Sequence, residues 1–365
     1  MISWNAMEKA LAAVENRGRD KNICIGFDGF IDSLFRVVKA RTSRDAFETY
    51  STITEFARRV EKAAGRSADM ELQPISRRTG GNAPLMAEAM GCQGLSVRCI
   101  GTMGYPEPED LFLGQNIHFT AESVAPCATC TAFEFSDGKL MFGNNQPLLD
   151  LDWESIVKVV GLENLRQWYR DCHLWAVVNW SFLMNSNEIL EGLIRDVVEE
   201  SREEKIFFFD LADPSGRSRE DMEKLFSLMK RLETTNRVVL SMNENESLQV
   251  AGVLGMEAGE AAPCDRAAAI RETTGIWMAS IHGLDFAVAA TREQSVVEEG
   301  IFVPVPTIST GGGDHFNGGF AAALVCGLEP EEALAFGNLV SSCYVNGGKS
   351  PKLQDLRRYL EKCQK

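Results

Sequence analysis

The sequence lacks the long apolar segments that would place a chain across a membrane. No apolar run in its 365 residues approaches the ~20 residues that span a bilayer. The N-terminal stretch MISWNAMEKALAAVENRGRD mixes charges of both signs and has no apolar core of the signal-peptide kind. We therefore expect a cytoplasmic protein with no membrane partner.

The sequence also lacks an excess of basic residues. It has 37 Lys and Arg against 52 Asp and Glu, which gives a formal net charge of −15. A chain this acidic repels nucleic acid in general, so we expect no nucleic-acid partner. A phosphorylated ligand would need a local site built from backbone amides, a metal or a few basic side chains.

No metal-binding set of cysteines and histidines is recognisable. Cys127 and Cys130 form a lone C-x-x-C, and His118 and His173 do not supply a second pair of ligands at a suitable spacing. We interpret the two cysteines as structural.

Two common nucleotide-binding motifs are missing as well. Residues 347–350 imitate the end of a P-loop, but Cys343 stands where the motif requires its first glycine. A P-loop also opens a helix after a strand, whereas here Pro351 follows at once and a predicted helix precedes the segment. No G-x-G-x-x-G follows the first predicted strand, which argues against a dinucleotide-dependent dehydrogenase.

What the sequence does contain is the alternation of strands and helices typical of a large α/β protein. Hydrophobic residues make up 45% of the chain, enough for a substantial core. Short apolar runs predict strands at Asn22–Gly26, Val97–Gly101, Trp175–Asn179, Ile206–Leu211, Arg237–Ser241, Met278–Ile281 and Phe286–Ala290. Amphipathic runs predict helices around Met7–Val14 and at Asp45–Ala64, Ala83–Met90, Ile189–Arg202, Arg219–Leu232, Asp265–Thr273, Asp314–Cys326, Pro330–Val345 and Leu353–Lys362. This order predicts a mostly parallel central sheet flanked by helices on both faces.

Two places break the alternation. Residues 31–38 continue as a strand after the first strand, and residues 118–142 read as two or three strands with a turn at Ser136–Gly138. Strands without covering helices predict a small sheet that stands off the core. With no internal repeat or long linker, we expect residues 1–365 to form a single domain with a β lid.

The most informative motif is the glycine-rich segment Ser309–Phe320. Gly311, Gly312 and Gly313 precede a predicted helix, so free backbone N–H groups and the helix dipole would favour an anion there. Asp314 in the first helical turn would repel that anion, which makes sense if this carboxylate must accept a proton beside a phosphate. The structural alternative is an ordinary glycine turn with Asp314 as a helix cap.

Polar residues near the predicted strand ends form a second group. Asp28 and Asp32 follow the first strand, at the sheet edge where open α/β proteins bind ligands, and could accept hydrogen bonds from hydroxyl groups. Gly80, Gly81 and Asn82 make another glycine turn before a helix. Here Asn82 is either a substrate ligand or a helix cap. The segment Asn243–Glu246 follows another strand, so its polar side chains would lie at the same sheet edge. The alternative is a solvated turn without a role in binding.

Taken in order, these segments resemble the ribokinase-like (PfkB) carbohydrate kinase family, from Gly26 to about Pro351. Thr310–Phe320 is similar to that family's C-terminal glycine turn, Asp and helix. Gly80–Asn82 resembles its sugar-binding turn, and Asn243–Glu246 its N-x-x-E element. Gly143–Asn145 is similar to a further turn that is common in the family.

The resemblance implies a role for each matching residue. Asp314 would deprotonate the acceptor hydroxyl, and the amides of Gly311, Gly312 and Gly313 would neutralise charge on the transferred phosphoryl group. The residues implied at the sugar are Asp32 and Asn82, with Asp28, Gly80, Gly81 and Asn145. Those implied at the nucleotide are Asn243, Glu246, Thr310, Gly283 and Asn338.

The resemblance also implies the cofactors and partners of the chain. ATP and Mg²⁺ are the expected cofactors, with Glu246 acting on the metal indirectly through water. The lid would close over the sugar and exclude water. An exposed lid sheet could also pair across a homodimer.

Three departures from the family pattern affect these expectations. Ile308 replaces the Asp that usually accompanies a monovalent-cation site, which argues against a potassium requirement. Ile281 and Phe286 replace the threonine and second glycine of the usual nucleotide loop around Gly283. The spacing from Gly26 to Asp32 is one residue longer than in many members, as in ADP-dependent sugar kinases of the same fold.

We therefore expect an ATP- and Mg²⁺-dependent kinase that phosphorylates a sugar or sugar-like hydroxyl. A nucleoside kinase or an ADP-dependent sugar kinase of the same fold is the nearest alternative. Phe27, Phe30 and Trp180 are the aromatic candidates for stacking on a nucleobase. A catalytically silent sugar-binding regulatory protein is the alternative from another class, and the intact Asp314 argues against it.

Overall fold

Fourteen strands and thirteen α-helices are present in the computed structural model, which describes residues 2–113, 118–201, 203–256 and 261–364. The strands are β1 (Asn22–Phe27), β2 (Phe30–Arg41), β3 (Phe47–Thr49), β4 (Leu72–Gly80), β5 (Ser96–Gly101), β6 (Phe119–Ser123), β7 (Ala128–Phe135), β8 (Gly138–Asn144), β9 (Leu174–Val177), β10 (Ile206–Asp210), β11 (Arg237–Asn243), β12 (Met278–His282), β13 (Phe286–Ala290) and β14 (Ser295–Glu299). The helices are α1 (Trp4–Arg17), α2 (Ile53–Glu61), α3 (Asn82–Cys92), α4 (Gln146–Asp150), α5 (Trp153–Val160), α6 (Leu162–Asp171), α7 (Ser186–Leu193), α8 (Arg219–Leu232), α9 (Glu244–Val253), α10 (Pro263–Thr274), α11 (Gly312–Val325), α12 (Pro330–Gly347) and α13 (Leu353–Cys363).

The large sheet has nine strands in the order β14-β13-β12-β11-β10-β9-β1-β5-β6. The seven strands from β12 to β6 are parallel, and β13 and β14 close one edge in antiparallel pairing. Alternate side chains of β10 enter two different cores: Phe207 and Phe209 pack on one face, and Phe208 packs on the other. Helices cover both faces, so the predicted fold class is confirmed.

All seven predicted strands of the large sheet are present with ends within a few residues. They were recognisable because strands buried on both faces are continuously apolar, which holds for the six parallel strands and for the antiparallel strand β13. The edge strand β14 was not predicted, since two of the five residues in its sequence Ser-Val-Val-Glu-Glu are charged and its burial is uneven. An edge strand with one exposed face carries too little apolar signal to stand out.

Most predicted helices also match, with two corrections. The prediction Asp45–Ala64 is wrong at its start, because Phe47–Thr49 pairs with β2 and α2 begins only at Ile53. The Thr52 side chain accepts a hydrogen bond from the Glu55 amide and thereby fixes that start. The prediction Ile189–Arg202 corresponds to α7 and a wider helical turn at Ile194–Val198; Arg202 lies outside the described residues.

The small sheet has the order β3-β2-β7-β8, with β4 also paired to β2. The predicted lid segment 31–38 lies within β2, and β7 and β8 supply the second part of the sheet. The first part of the prediction 118–142 is wrong, because β6 pairs in parallel with β5 in the large sheet. An isolated strand pattern shows that a segment is extended but not which sheet it joins.

A few aromatic and aliphatic residues hold the small sheet together. Val37, Phe56 and Phe135 form a separate buried cluster between α2 and the sheet. On β8, Met141 and Phe142 remain 58% and 55% exposed.

The single-domain organisation and a homodimer through the lid stay predictions. Within the described ranges, no helix is long and apolar enough to cross a bilayer.

Candidate active site

Polar residues collect where neighbouring parallel strands of the large sheet end. Asp210, Asn243 and His282 are the last residues of β10, β11 and β12. Asp28 follows β1, and Asn179 follows β9. Because these strands are adjacent and parallel, their ends meet at one edge of the sheet, as is usual for ligand sites in open α/β folds.

The glycine turn precedes α11 at this same edge. Gly311 has φ of +92° and caps the helix, a conformation that a residue with Cβ rarely adopts. The Gly312 amide donates to the Ser309 carbonyl at 3.2 Å. The N–H groups of Gly311 and Gly313 donate to no acceptor among the described residues. These two donors and the helix dipole therefore suit an anion.

Asp314 stands in the first turn of α11 and is half-buried. Burial raises the pKa of its carboxyl group well above the ordinary value, and the charges of Asp210, Asp28 and Glu246 raise it further. A carboxylate with a raised pKa is a better proton acceptor than an ordinary one. The structure thus places a carboxyl group of raised pKa, a candidate base, directly after the glycine turn.

Two further carboxyl groups in this cluster have perturbed pKa values. Burial raises the pKa of Asp210 to about 6, with a smaller contribution from Asp28. Burial, followed by the charge of Asp210, raises the pKa of Glu246 to about 9. A cation near these groups would relieve the mutual repulsion that contributes to these shifts.

The N-x-x-E element is a reciprocal cap at the start of α9. The Asn243 side chain accepts from the Glu246 amide at 2.9 Å, and the Glu246 carboxylate accepts from the Asn243 amide at 2.8 Å. The Asn243 side-chain amide also donates to Glu246 at 2.6 Å. Sequence analysis missed this helix, although the capping-box spacing was a usable signal.

Asp28 is fully buried and holds the turn Gly80–Asn82 in place. Its carboxylate accepts from the amides of Asn82 and Ala83 at 2.9 and 2.8 Å, and from the Asn179 side chain at 2.6 Å. Gly81 has φ of +94°, and a Cβ there would lie 2.8 Å from Asp28 Oδ2. These contacts occupy both Asp28 oxygens. Asp32 is therefore the carboxylate that is more available to a ligand.

Asp32 lies on β2 and faces a cavity of about 290 Å³. Its side chain is 18% exposed and lies 3.9 Å from the Arg78 guanidinium. Gly80 packs directly against it, since a Cβ on Gly80 would approach the carboxylate to 2.8 Å. The lining of this cavity includes Asp32, Arg78, Glu88, Thr310, Tyr344 and Ser350.

A second cavity of about 810 Å³ lies on the other side of the glycine turn. Residues that line it include Asn243, His282, Gly283, Gly312, Gly313 and Asn338. Asn338 Nδ2 is buried and has no hydrogen-bond partner within the described ranges. Since Thr310 lines the small cavity and Gly312 and Gly313 line the large one, the glycine turn separates the two.

The structure does not bring Asn145 together with the other predicted site residues. It caps α4 directly after the lid strand β8. Within the described part of the chain, no hydrogen bond or ion pair joins it to Asp32, Asn82 or Asp314. Its predicted role at the sugar stays a prediction.

Two residues of the site were missed at the level of sequence. Asp210 accepts from the Asn317 side chain at 2.5 Å and from the Ala212 amide at 2.7 Å, and Asn82 Nδ2 lies 3.5 Å away. The signal for Asp210 was its place at the end of a buried strand, the same signal that marked Asn243. Asn317 carried no separate signal, because it lies within an otherwise apolar helix.

Comparison with known proteins identifies the family of the chain. A family model described as prokaryotic ketohexokinase matches residues 3–363. A ketohexokinase from Haloferax volcanii is 28% identical over 344 residues, covering 92% of this chain and 90% of that protein.

Two solved structures share the fold. A ribokinase from Arabidopsis thaliana, complexed with ribose and ATP, has a TM-score of 0.65 at 15% identity, with 93% of this chain and 98% of that chain covered. A candidate ribokinase II from E. coli, in complex with ATP and Mg²⁺, has a TM-score of 0.63 at 14% identity, with 94% and 99% covered. At these identities the likeness shows the fold alone.

The family model spans nearly all of the chain, from α1 to the end of α13, and therefore includes both cavities and the glycine turn. The resemblance to the ribokinase-like carbohydrate kinases is confirmed by this match and by the structural neighbours. The chain is a carbohydrate kinase and belongs to the prokaryotic ketohexokinase family.

Proposed function

We propose that this kinase transfers the γ-phosphoryl group of ATP to a hydroxyl of a ketohexose or a close sugar relative, with Asp314 as general base. One observation carries the proposal: the glycine turn, which Asp314 follows directly, separates two cavities of different size. The larger, of about 810 Å³, falls within the size range of sites for drug-sized ligands and suits a nucleotide. The smaller, of about 290 Å³, suits a monosaccharide.

The nucleotide side of the site is compatible with Mg²⁺. Among the described residues, no group of three or more His, Cys, Asp or Glu side chains could hold a metal by itself. Mg²⁺ is usually bound by one or two carboxylates together with substrate phosphates and water, so it would come with the nucleotide. Glu246 would hold it through water, and the ion would neutralise charge on the donor phosphates. Ile308 has no side-chain ligand for potassium, so we propose no potassium requirement.

The chemistry then follows from the side chains that are present. Asp314 would accept the proton of the acceptor hydroxyl as that oxygen attacks the γ-phosphorus, while the bond from the γ-phosphorus to the bridging oxygen breaks and ADP leaves. The free N–H groups of Gly311 and Gly313 would bind the negative oxygens of the group in transfer. The Gly312 N–H would become a third donor if its long hydrogen bond to the Ser309 carbonyl were broken. Asn243 and Asn338 would contact the nucleotide from the walls of the large cavity, with Gly283 beside them.

The acceptor side favours a polyhydroxy compound over a nucleoside. Asp32, Arg78 and Glu88 give the small cavity a charged wall that hydrogen-bonds hydroxyl groups well. Two of the three aromatic candidates for base stacking are unavailable, because Phe27 and Trp180 are fully buried in the core. The relative from Haloferax volcanii supports a ketohexose as the first substrate to test.

A substrate panel tests this proposal. The purified chain is assayed with fructose, other hexoses, ribose and adenosine as acceptors, each with ATP or ADP and with or without Mg²⁺ and K⁺. We expect turnover of a ketohexose with ATP and Mg²⁺, and phosphorus NMR identifies the hydroxyl that is modified. Strong preference for ADP or for a nucleoside would overturn the donor or acceptor assignment. Tight sugar binding without any turnover would support the silent alternative.

A further inference from the structure

Two side chains hold the outer face of the glycine turn. Tyr344 donates its hydroxyl hydrogen to the Thr310 carbonyl at 3.0 Å. His315 Nδ1 lies 2.7 Å from the Gly311 carbonyl oxygen. The two rings stack face to face, with centroids 3.5 Å apart and planes 11° apart. Consecutive carbonyl groups of the turn are therefore held by two rings that support each other.

The directions of these hydrogen bonds are fixed by the chemistry of the partners. A carbonyl oxygen can only accept, so Nδ1 of His315 carries the hydrogen. Burial lowers the pKa of His315 to about 4, and the ring is therefore neutral near pH 7. Nε2 then accepts from the Ser350 hydroxyl at 2.8 Å. Ser350 and Glu88 both line the small cavity.

The planarity of the peptide bond connects these carbonyls to the anion-binding amides. In a trans peptide, the N–H of one residue points opposite to the carbonyl of the residue before it. The Tyr344 bond to Thr310 therefore sets the direction of the Gly311 N–H, one of the two free donors. The His315 bond to Gly311 sets the direction of the Gly312 N–H in the same way.

The turn needs such support because glycine alone does not fix it. Glycine populates several backbone conformations at similar cost, so a peptide plane of the turn is fixed only by its hydrogen bonds. The Gly311 carbonyl also accepts from the His315 backbone N–H at 3.1 Å, and the His315 ring adds a second bond to it, whereas the plane before Gly311 depends on Tyr344. A rotated plane would present a carbonyl oxygen to the donor phosphates in place of an N–H group. The Asp314 base adds negative charge nearby, which makes correct orientation of the amides more important.

We propose that His315 and Tyr344 are positioning residues that fix the peptide planes of the anion-binding turn. The proposal rests on the proposed kinase function of that turn. Neither residue belongs to the predicted set of nucleotide or sugar ligands. They act through the carbonyls of Thr310 and Gly311, on the face of the turn opposite the nucleotide cavity.

Conservative variants separate this role from simple packing. Tyr344→Phe keeps the ring and its stack but removes the bond to Thr310. His315→Asn places an amide nitrogen where Nδ1 lies and keeps the bond to Gly311, whereas His315→Gln reaches only the Nε2 position. We expect kcat to fall about tenfold in Tyr344→Phe and His315→Gln, the effect of losing one well-placed hydrogen bond. His315→Asn should recover most of that loss.

A readout besides turnover checks the turn itself. ADP with aluminium fluoride and fructose mimics the transferred phosphoryl group, and its affinity should weaken about tenfold in the two impaired variants. The affinity for ADP alone should stay unchanged. Tyr169→Phe is the matched control, because its buried hydroxyl bonds Asn236 at 3.0 Å far from the turn.

The outcomes distinguish the two proposals. A wild-type protein that phosphorylates no acceptor would defeat the kinase assignment and leave the variants uninformative about chemistry. An active wild type with unimpaired Tyr344→Phe and His315→Gln would overturn the positioning role. So would equal losses in His315→Asn and His315→Gln, or losses explained entirely by lower melting temperatures.

Discussion

The Asn317 side chain donates a 2.5 Å hydrogen bond to Asp210, and this bond ties helix α11, which carries Asp314, to the central sheet. Asn317 lies one turn after Asp314 on α11, and Asp210 ends β10. The Ser241 hydroxyl donates to Asn317 Oδ1 at 2.7 Å, so the amide nitrogen must face Asp210. The negative charge of Asp210 is thereby held at a fixed position near Asp314.

This arrangement predicts how the pH dependence responds to Asp210→Asn. The Asp210 charge raises the pKa of Asp314, so its removal should lower that pKa. A general base acts only when deprotonated, and activity is lost as the pH falls through its pKa. The acid limb of the kcat profile should therefore move to lower pH in Asp210→Asn. Asp150→Asn on the exposed helix α4 is the control, and an unmoved or upward-shifted limb in Asp210→Asn would contradict the coupling.

Asp28 and Asp32 should respond differently to truncation, although they are only four positions apart. Asp28→Ala leaves the amides of Asn82 and Ala83 and the Asn179 side chain without their acceptor. Each unsatisfied buried donor costs about 1–3 kcal/mol, so the melting temperature should fall clearly. Differential scanning calorimetry measures this loss.

Asp32→Ala should instead leave the melting temperature nearly unchanged and weaken sugar binding. Hydrogen bonds to a charged group contribute about 1.5–3 kcal/mol, so the dissociation constant should rise roughly 10- to 100-fold. Nucleotide affinity should stay close to that of the wild type. If both variants lowered stability alike and spared sugar binding, Asp32 would be a structural residue.

Gly313→Ala tests whether the phosphate approaches the backbone of the turn. A Cβ at this position would meet His282 at 3.4 Å, an ordinary contact, so the protein can accommodate it. The same methyl group would stand beside the free N–H at the wall of the large cavity. We expect unchanged stability with a loss of about tenfold or more in kcat/KM for ATP. The control Gly252→Ala, in α9 with no heavy atom near its Cβ, should have full activity.

The parts of the site that could be predicted from sequence are those encoded locally. The glycine turn, Asp314 and the N-x-x-E element each carry their chemistry within a few consecutive residues. The seven buried strands were visible because burial on both faces leaves a continuous apolar run. Where an element depends on a distant partner, as β3 and β6 do, the local pattern did not determine its sheet.

Roles that depend on geometry could not be separated in the sequence. Asp28 and Asp32 look equivalent there, and only the contacts to Asn82 and Ala83 show that Asp28 holds the helix. Asp210 was recognisable only as a residue near the end of a buried strand, and nothing in the sequence marked it as a charge near Asp314. His315 carried no visible signal, because its partners are a backbone carbonyl and a serine 35 positions away.

The assignment of Asp314 as the base makes the strongest prediction. A sugar hydroxyl is a poor nucleophile near neutral pH, and general-base assistance contributes roughly 10²- to 10⁴-fold. Asp314→Asn keeps the size of the side chain but cannot take the proton. We expect kcat to fall by at least 10²-fold, a lower bound set by general-base catalysis.

Binding should behave in the opposite way in this variant. Isothermal titration should give dissociation constants for sugar and nucleotide within a few-fold of wild type, since neither ligand loses an anchoring contact. Removal of a negative charge beside the phosphates should, if anything, tighten nucleotide binding. If Asp314 were only a helix cap, the melting temperature would fall and activity and affinities would decline together. With the expected loss, at most about a hundredth of the wild-type kcat should remain. A variant that kept a tenth or more of the wild-type kcat, about ten times that amount, would show that Asp314 is not the general base.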